Sequence, residues 1–198
     1  MSEKFKAVIG CLVFVALLIA AAAHARGETV EDKAVVCGRC HGENGIPQDK
    51  HFPVIWGQHQ GYLYLQLRDF KRGTRKSDAM SPFVEHIERD DMMALAEYFA
   101  KKPWPDLRQP PAPAGVAAQA QRTKSSVGCT GCHQGQYQGD GTQPRLAGQS
   151  KEYLIKSMLD FRTRERANNP GMSALMLATA PDDLAAMADY ISGLQLNY

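Results

Sequence analysis

Two short runs constrain this 198-residue chain more than anything else in it: Cys37-Gly38-Arg39-Cys40-His41 and Cys129-Thr130-Gly131-Cys132-His133. Each places two thiols about one helical turn apart, with a histidine directly after the second. This is the C-x-x-C-H signature of covalent haem attachment. The thiol spacing suits the two vinyl groups on one porphyrin edge, and the histidine is placed to offer its imidazole to the iron. A zinc ion held by four thiolates, or two short disulfides, are competing uses of such cysteines. Neither gives a reason for a histidine after both pairs. The expectation is two haem c groups, one on Cys37 and Cys40 and one on Cys129 and Cys132, with His41 and His133 as proximal iron ligands.

The fifth cysteine, Cys11, lies in a different kind of segment. Lys4 and Lys6 precede an apolar run of 17 residues, Ala7 to Ala23, which ends at the A-x-A site Ala23-His24-Ala25. Residues 1–25 therefore read as a secretory signal peptide, cut after Ala25. A retained membrane anchor is the alternative, because such a run sits at the lower edge of spanning length. The formal net charge is +2, too near neutral to suggest nucleic-acid binding.

The motifs are offset by 92 residues (129 − 37), and the chain around them repeats at nearly that period. Residues 52–58, ending Trp56-Gly57-Gln58, match residues 143–149, ending Ala147-Gly148-Gln149. Tyr62-Leu63 matches Tyr153-Leu154, and Asp69-Phe70 matches Asp160-Phe161. Asp91, Ala96 and Tyr98 match Asp183, Ala188 and Tyr190. The chain is a tandem duplication: domain 1 at 28–105, a proline-rich linker at 106–121 and domain 2 at 122–198.

The repeat also selects the sixth iron ligand. Among the methionines only Met80 and Met172 coincide, each 39 residues beyond its proximal histidine (80 − 41 and 172 − 133). Met92, Met93, Met158, Met176 and Met187 fall opposite apolar residues, as packing positions do. Ligation by a second histidine is the competing arrangement. His51, His59 and His86 are all in the first half, so it would need a histidine reaching across to the second.

No segment alternates as a strand does; the patterning is all-α. Helices are expected at 30–39 and 118–130, each closed by its C-x-x-C-H motif. Further helices are expected after Gln58 and Gln149, after each candidate methionine (with Ser81 or Ser173 as cap and Pro82 in the first turn), and at 90–101 and 181–192. Each domain has about 75–80 residues, marginal for a core of side chains alone, so the haem has to supply apolar interior. Pro53 and Pro144 follow the histidines at a distance that lets their carbonyls accept from the second ring N–H. Arg75 and Arg166, with Arg72 and Arg164, are candidate partners for haem propionates, as are Trp56, Tyr62 and Tyr153. Trp104 is a candidate anchor for the linker.

Two C-x-x-C-H domains, each followed by P-x-x-x-G-Q, a Tyr-Leu helix ending near Asp-Phe and then a methionine, resemble the cytochrome c4 family over essentially the whole mature chain. The resemblance implies two class I cytochrome c folds related by a pseudo-twofold axis, with the haems facing each other. It implies a periplasmic electron carrier, soluble or membrane-associated, between a quinol-oxidising bc-type complex or a dehydrogenase and a terminal haem-copper oxidase. Two other functions share the domain pattern: the cytochrome subunit of a flavin-containing sulfide dehydrogenase, and a dihaem peroxidase. The second needs an open ligand position, against which the matched methionines argue.

Overall fold

The structure, a computed structural model, describes residues 28–195; the expected signal segment and Cys11 lie outside the described residues. The described residues form helices α1 (Val30–His41), α2 (Gln60–Lys71), α3 (Ser81–Val84), α4 (Arg89–Ala100), α5 (Ala114–Val127), α6 (Thr130–His133), α7 (Lys151–Thr163), α8 (Pro170–Ala178) and α9 (Pro181–Ser192). Their only strand-like pairings are the isolated bridges Arg75–Arg166 and Asp140–Gln143.

Local chemistry sets the helix ends. Thr29 and Asp32 form a capping box on α1: the Thr29 hydroxyl accepts from Asp32 N–H at 3.2 Å, and the Asp32 carboxylate accepts from Thr29 N–H at 3.0 Å. Pro181 opens α9, with Asp182 and Asp183 in its first turn where the helix dipole favours anions. In each half the C-terminal helix closes the fold. α4 packs on α1 and α2, and α9 packs on α5 and α7. The first core joins Ala34, Leu63, Leu95, Ala96 and Phe99. The second joins Ala120, Tyr137, Leu154, Met187 and Ile191.

The halves are not copies in detail. The first motif closes α1 as expected, but α5 stops at Val127 and the second motif occupies its own turn, α6. The break falls at Gly128, in the left-handed conformation at φ 75°, where the first half has Val36. A volume exchange also separates the halves. In the first, Gly45 (φ 84°) makes room for Trp56, whose ring would lie 2.8 Å from a Cβ there. In the second, Tyr137 (φ 58°) takes the glycine's place and Ala147 the tryptophan's, both essentially fully buried. A lysine lies over each aromatic: Lys102 over Trp56 and Lys124 over Tyr137.

The connector is shorter than expected. Residues 103–113 form no regular element, with Arg108 at φ 53°, but Ala114 already begins α5, which packs on α9. The low-propensity prolines end at Pro113, and the Ala/Gln-rich stretch behind them is a good helix former. Gln109 ties the connector down, donating to Gln149 O at 2.9 Å and accepting from Lys151 N–H at 2.9 Å. Trp104 does anchor it: Arg145 stacks over its ring at 4.3 Å.

Trp104 lies between the two repeated glycines. A Cβ at Gly57 (φ 65°) would meet Trp104 N at 2.8 Å, and one at Gly148 (φ 73°) would meet Trp104 Nε1 at 3.1 Å. Gly57→Ala combines a positive φ with a backbone clash. It is expected to cost about 2–3 kcal/mol, read as a lowered midpoint in denaturant unfolding.

The halves meet through reciprocal bonds. The Gln58 side chain accepts from Arg145 N–H at 2.8 Å and donates to Arg145 O at 2.9 Å. Its repeat partner Gln149 does the same to Val54, at 2.8 and 3.0 Å. Val54 and Arg145 are themselves repeat partners, so the exchange is twofold-symmetric.

Candidate metal centres

The first-half residues singled out in the sequence come together. A cavity of about 960 Å³ is lined by Cys37, Cys40, His41, Pro53, Tyr62, Phe70, Arg75, Met80 and Phe99 of the first half, and by Pro144, Tyr153 and Arg166 of the second. Its size is that of a pocket for a large cofactor. α1 brings the cysteines and His41 to one wall, and the turn before α3 brings Met80.

The His41 ring is fixed by its own half. Nδ1–H donates to Pro53 O at 2.8 Å, as the sequence spacing predicts, which leaves Nε2 as the lone-pair nitrogen. Burial holds the His41 pKa below its ordinary value despite the Pro53 bond, and nearby Arg75 lowers it further. The ring is therefore kept neutral, the form that ligates a metal. His133 repeats the arrangement: Nδ1–H donates to Pro144 O at 3.1 Å, and burial lowers its pKa. Its Nε2 is buried without a hydrogen-bond partner. A buried imidazole nitrogen with no partner fits a metal ligand.

None of the four cysteines is paired in a disulfide. Burial pushes the Cys37 pKa up to about 11, and burial raises that of Cys129. Among the described residues no three His, Cys, Asp or Glu side chains gather as a metal cluster.

Met80 and Met172 sit differently. Met80 caps α3 from outside, whereas Met172 lies inside α8, because Asn169 and Pro170 start that helix three residues earlier. Ser173, inside α8, and Ser81, the first residue of α3, are therefore not the caps. Beneath the difference the two are held alike. Met80 N–H donates to Ser77 Oγ at 3.2 Å and Met172 N–H to Asn169 Oδ1 at 3.1 Å, and Ser77 and Asn169 are repeat partners. In the second half Cys129 packs on the Ala120–Tyr137 core and Met172 on Phe161, Met176 and Leu184, with Met158 touching both clusters. Met92, Met176 and Met187 are buried packing residues as expected. Met93 is 40% exposed, because the outer face of α4 turns it to solvent. His51 pairs with Asp49, His59 bonds Gln138 O at 2.9 Å across the halves, and His86 is exposed.

At the junction lie two guanidiniums. Arg166 is buried and Arg75 half-buried, and each stacks on the phenylalanine of its own half, Phe161 or Phe70. Arg75 bonds Gln66 Oε1 and Tyr153 OH. Arg166 bonds Gln66 Oε1, Asn168 Oδ1, Ser157 Oγ and Tyr62 OH. None of these acceptors is a carboxylate. Burial pushes the Tyr153 hydroxyl up, but Arg75 and Arg166 more than reverse this and hold its pKa below the usual phenol range. Two such cations beside a cavity match a bound group that carries carboxylates. Arg72 is exposed and off the cavity wall, and Arg164 is exposed at its rim. Trp56 is also off the wall, because Gly45 draws it into the first core. Thiols, neutral imidazoles, thioethers and cations together fit haem c.

A family model described as "Cytochrome c" matches residues 117–195. Cytochrome c4 of Azotobacter vinelandii is 33% identical over 192 residues, covering 87% of this chain and 91% of that protein. The crystal structure of reduced recombinant cytochrome c4 from Pseudomonas stutzeri superposes with a TM-score of 0.75 at 29% identity, over 86% of this chain and 99% of that one. A "Thiosulfate dehydrogenase electron acceptor" of Thiomonas intermedia is 30% identical over 159 residues, 75% of this chain and 73% of that protein.

Proposed function

Since the chain belongs to the cytochrome c4 family of electron-transfer cytochromes, we propose that it is a periplasmic dihaem carrier, taking single electrons from a quinol-oxidising bc-type complex or a dehydrogenase and delivering them to a haem-copper oxidase or comparable acceptor. The observation that carries this reading is the duplicated site: a buried neutral imidazole oriented by a proline carbonyl, and a methionine backbone held three residues after a side-chain oxygen, once in each half. Haem, when bound, supplies reversible one-electron iron chemistry. The protein supplies the rest. Cys37, Cys40, Cys129 and Cys132 would tether the groups, and His41 with Met80 and His133 with Met172 would ligate the two irons. Pro53 and Pro144 hold the imidazole tautomer. Arg75 and Arg166 would offset propionate charge at the junction, and residues 103–113 link the two halves, with α5 belonging to the second.

The alternative is a permanent cytochrome subunit of a sulfur-compound dehydrogenase. The Thiomonas relative bears on it, but its name describes an acceptor of electrons, which favours a separable carrier. No helix among the described residues is long and apolar enough to cross a membrane; membrane association would rest on the segment before them. A redox titration of the purified holoprotein, followed in the visible region, separates the readings. The carrier is expected to show two low-spin haems, each taking one electron, with a methionine–iron(III) charge-transfer band when oxidised. Turnover of hydrogen peroxide would contradict it in favour of an enzyme, and co-purification of a stoichiometric flavoprotein would favour the subunit.

A further inference from the structure

The repeat permits a position-by-position comparison of what holds each methionine loop, and the comparison is one-sided. At the C-terminal end of α8, Arg162 Nη1 donates to three carbonyls: Met176 O at 3.0 Å, Leu177 O at 2.6 Å and Thr179 O at 2.7 Å. Its repeat partner Lys71 reaches one, Ile87 O at 2.7 Å, plus the Glu88 carboxylate, which is 81% exposed. An exposed ion pair of that kind adds little. At the N-terminal side, Asn168 donates to Gln66 Oε1 at 3.1 Å and Asp69 Oδ2 at 2.9 Å of the first half. Its partner in the repeat, Lys76, is exposed. The helices differ in the same sense: α8 has nine residues with Pro170 in its first turn, and α3 has four. Phe83, in α3, is 47% exposed.

We propose that, in the oxidised protein, the first half is a binding site for a small neutral nitrogen donor of the imidazole class, which displaces Met80 at concentrations that leave Met172 bound. The Met80 thioether leaves as the donor nitrogen takes its position, and no electron changes hands. The loop of residues 76–88 opens to release it, whereas residues 168–179 are pinned at both ends. Three to four more hydrogen bonds on the second loop correspond to an affinity difference on the order of ten-fold or more in favour of the first site.

This inference rests on the histidine–methionine ligation proposed above, and one experiment tests the two apart. Imidazole is titrated into oxidised holoprotein while the methionine–iron(III) band is followed, in the wild type, Met80→Ala, Met172→Ala and Arg162→Lys. Each methionine variant should keep half of the band; retention of the full band in either would overturn the ligand assignment itself. With that assignment intact, the wild type should lose its band in two equal phases. The half kept by Met172→Ala should vanish at the lower imidazole concentration and the half kept by Met80→Ala at the higher. Arg162→Lys should bring the second phase toward the first. A single wild-type phase, or the reverse order, would overturn the inference. Amide hydrogen exchange on the wild type gives an independent reading: residues 76–88 should exchange faster than 168–179, and equal or slower exchange would count against the proposal.

Discussion

Chain produced without covalent haem attachment is expected to show no cooperative unfolding transition and to lose a large part of its helical circular dichroism. The cavity wall explains why. Leu67, Phe70, Val84, Ile87, Leu95 and Phe99 all line it, so the side chains that would form the first core are the ones that face the haem. Of the buried hydrophobics of that core only Ala34 lies off the cavity wall; Leu63, Leu95, Ala96 and Phe99 all line it. A flat group that buries roughly 400 Å² of apolar surface contributes about 10 kcal/mol, comparable to the whole stability of a domain this size. Removing the thiols of one half alone, with Cys37→Ala and Cys40→Ala, should leave the other half folded and give a partial loss, read by circular dichroism and calorimetry. A fully cooperative melt of haem-free chain would contradict this.

The second large effect is expected at the junction. Gln58→Leu removes one hydrogen bond from Arg145 N–H and one to Arg145 O, and Gln149→Leu removes the corresponding pair at Val54. Gln58, Gln149 and Val54 are all buried. Each buried backbone group left unpaired costs about 1–3 kcal/mol, so each substitution should cost roughly 2–6 kcal/mol of coupling between the halves. With both replaced, the single calorimetric transition of the holoprotein should split into two, one per half. A double variant that still melts as one unit would show that the reciprocal glutamines do not couple the halves.

Much of this was legible in the sequence because covalent chemistry and duplication both leave marks at fixed spacing. The C-x-x-C-H runs point to haem c, in keeping with the cytochrome c4 relatives, and mark His41 and His133 as the proposed ligands. The equal spacing of Met80 and Met172 from their histidines picks two methionines from several. The positions of Pro53 and Pro144 anticipated the carbonyls that hold the imidazoles. What stayed hidden depends on contacts remote in sequence or on backbone conformation. Gln58 and Gln149 stand out as repeated residues, but their reciprocal reach across 87 and 95 residues is a tertiary fact. The exchange of Gly45 and Trp56 for Tyr137 and Ala147 keeps volume while changing every residue type involved, so Trp56 read as a cavity residue when it is core. Gly128 breaks the second motif off its helix because a left-handed residue is affordable where the first half has Val36. Asn169-Pro170 was a stronger helix start than Ser173, and reading those two residues as a cap and a first-turn proline would have found it.

The most direct test of the account is the mass of the purified, denatured protein together with its visible spectrum. The account predicts a chain heavier by two haem groups that stay attached through denaturation, with both pairs of thiols consumed. A chain whose paired thiols carry zinc or disulfides, with no porphyrin bound, would contradict it.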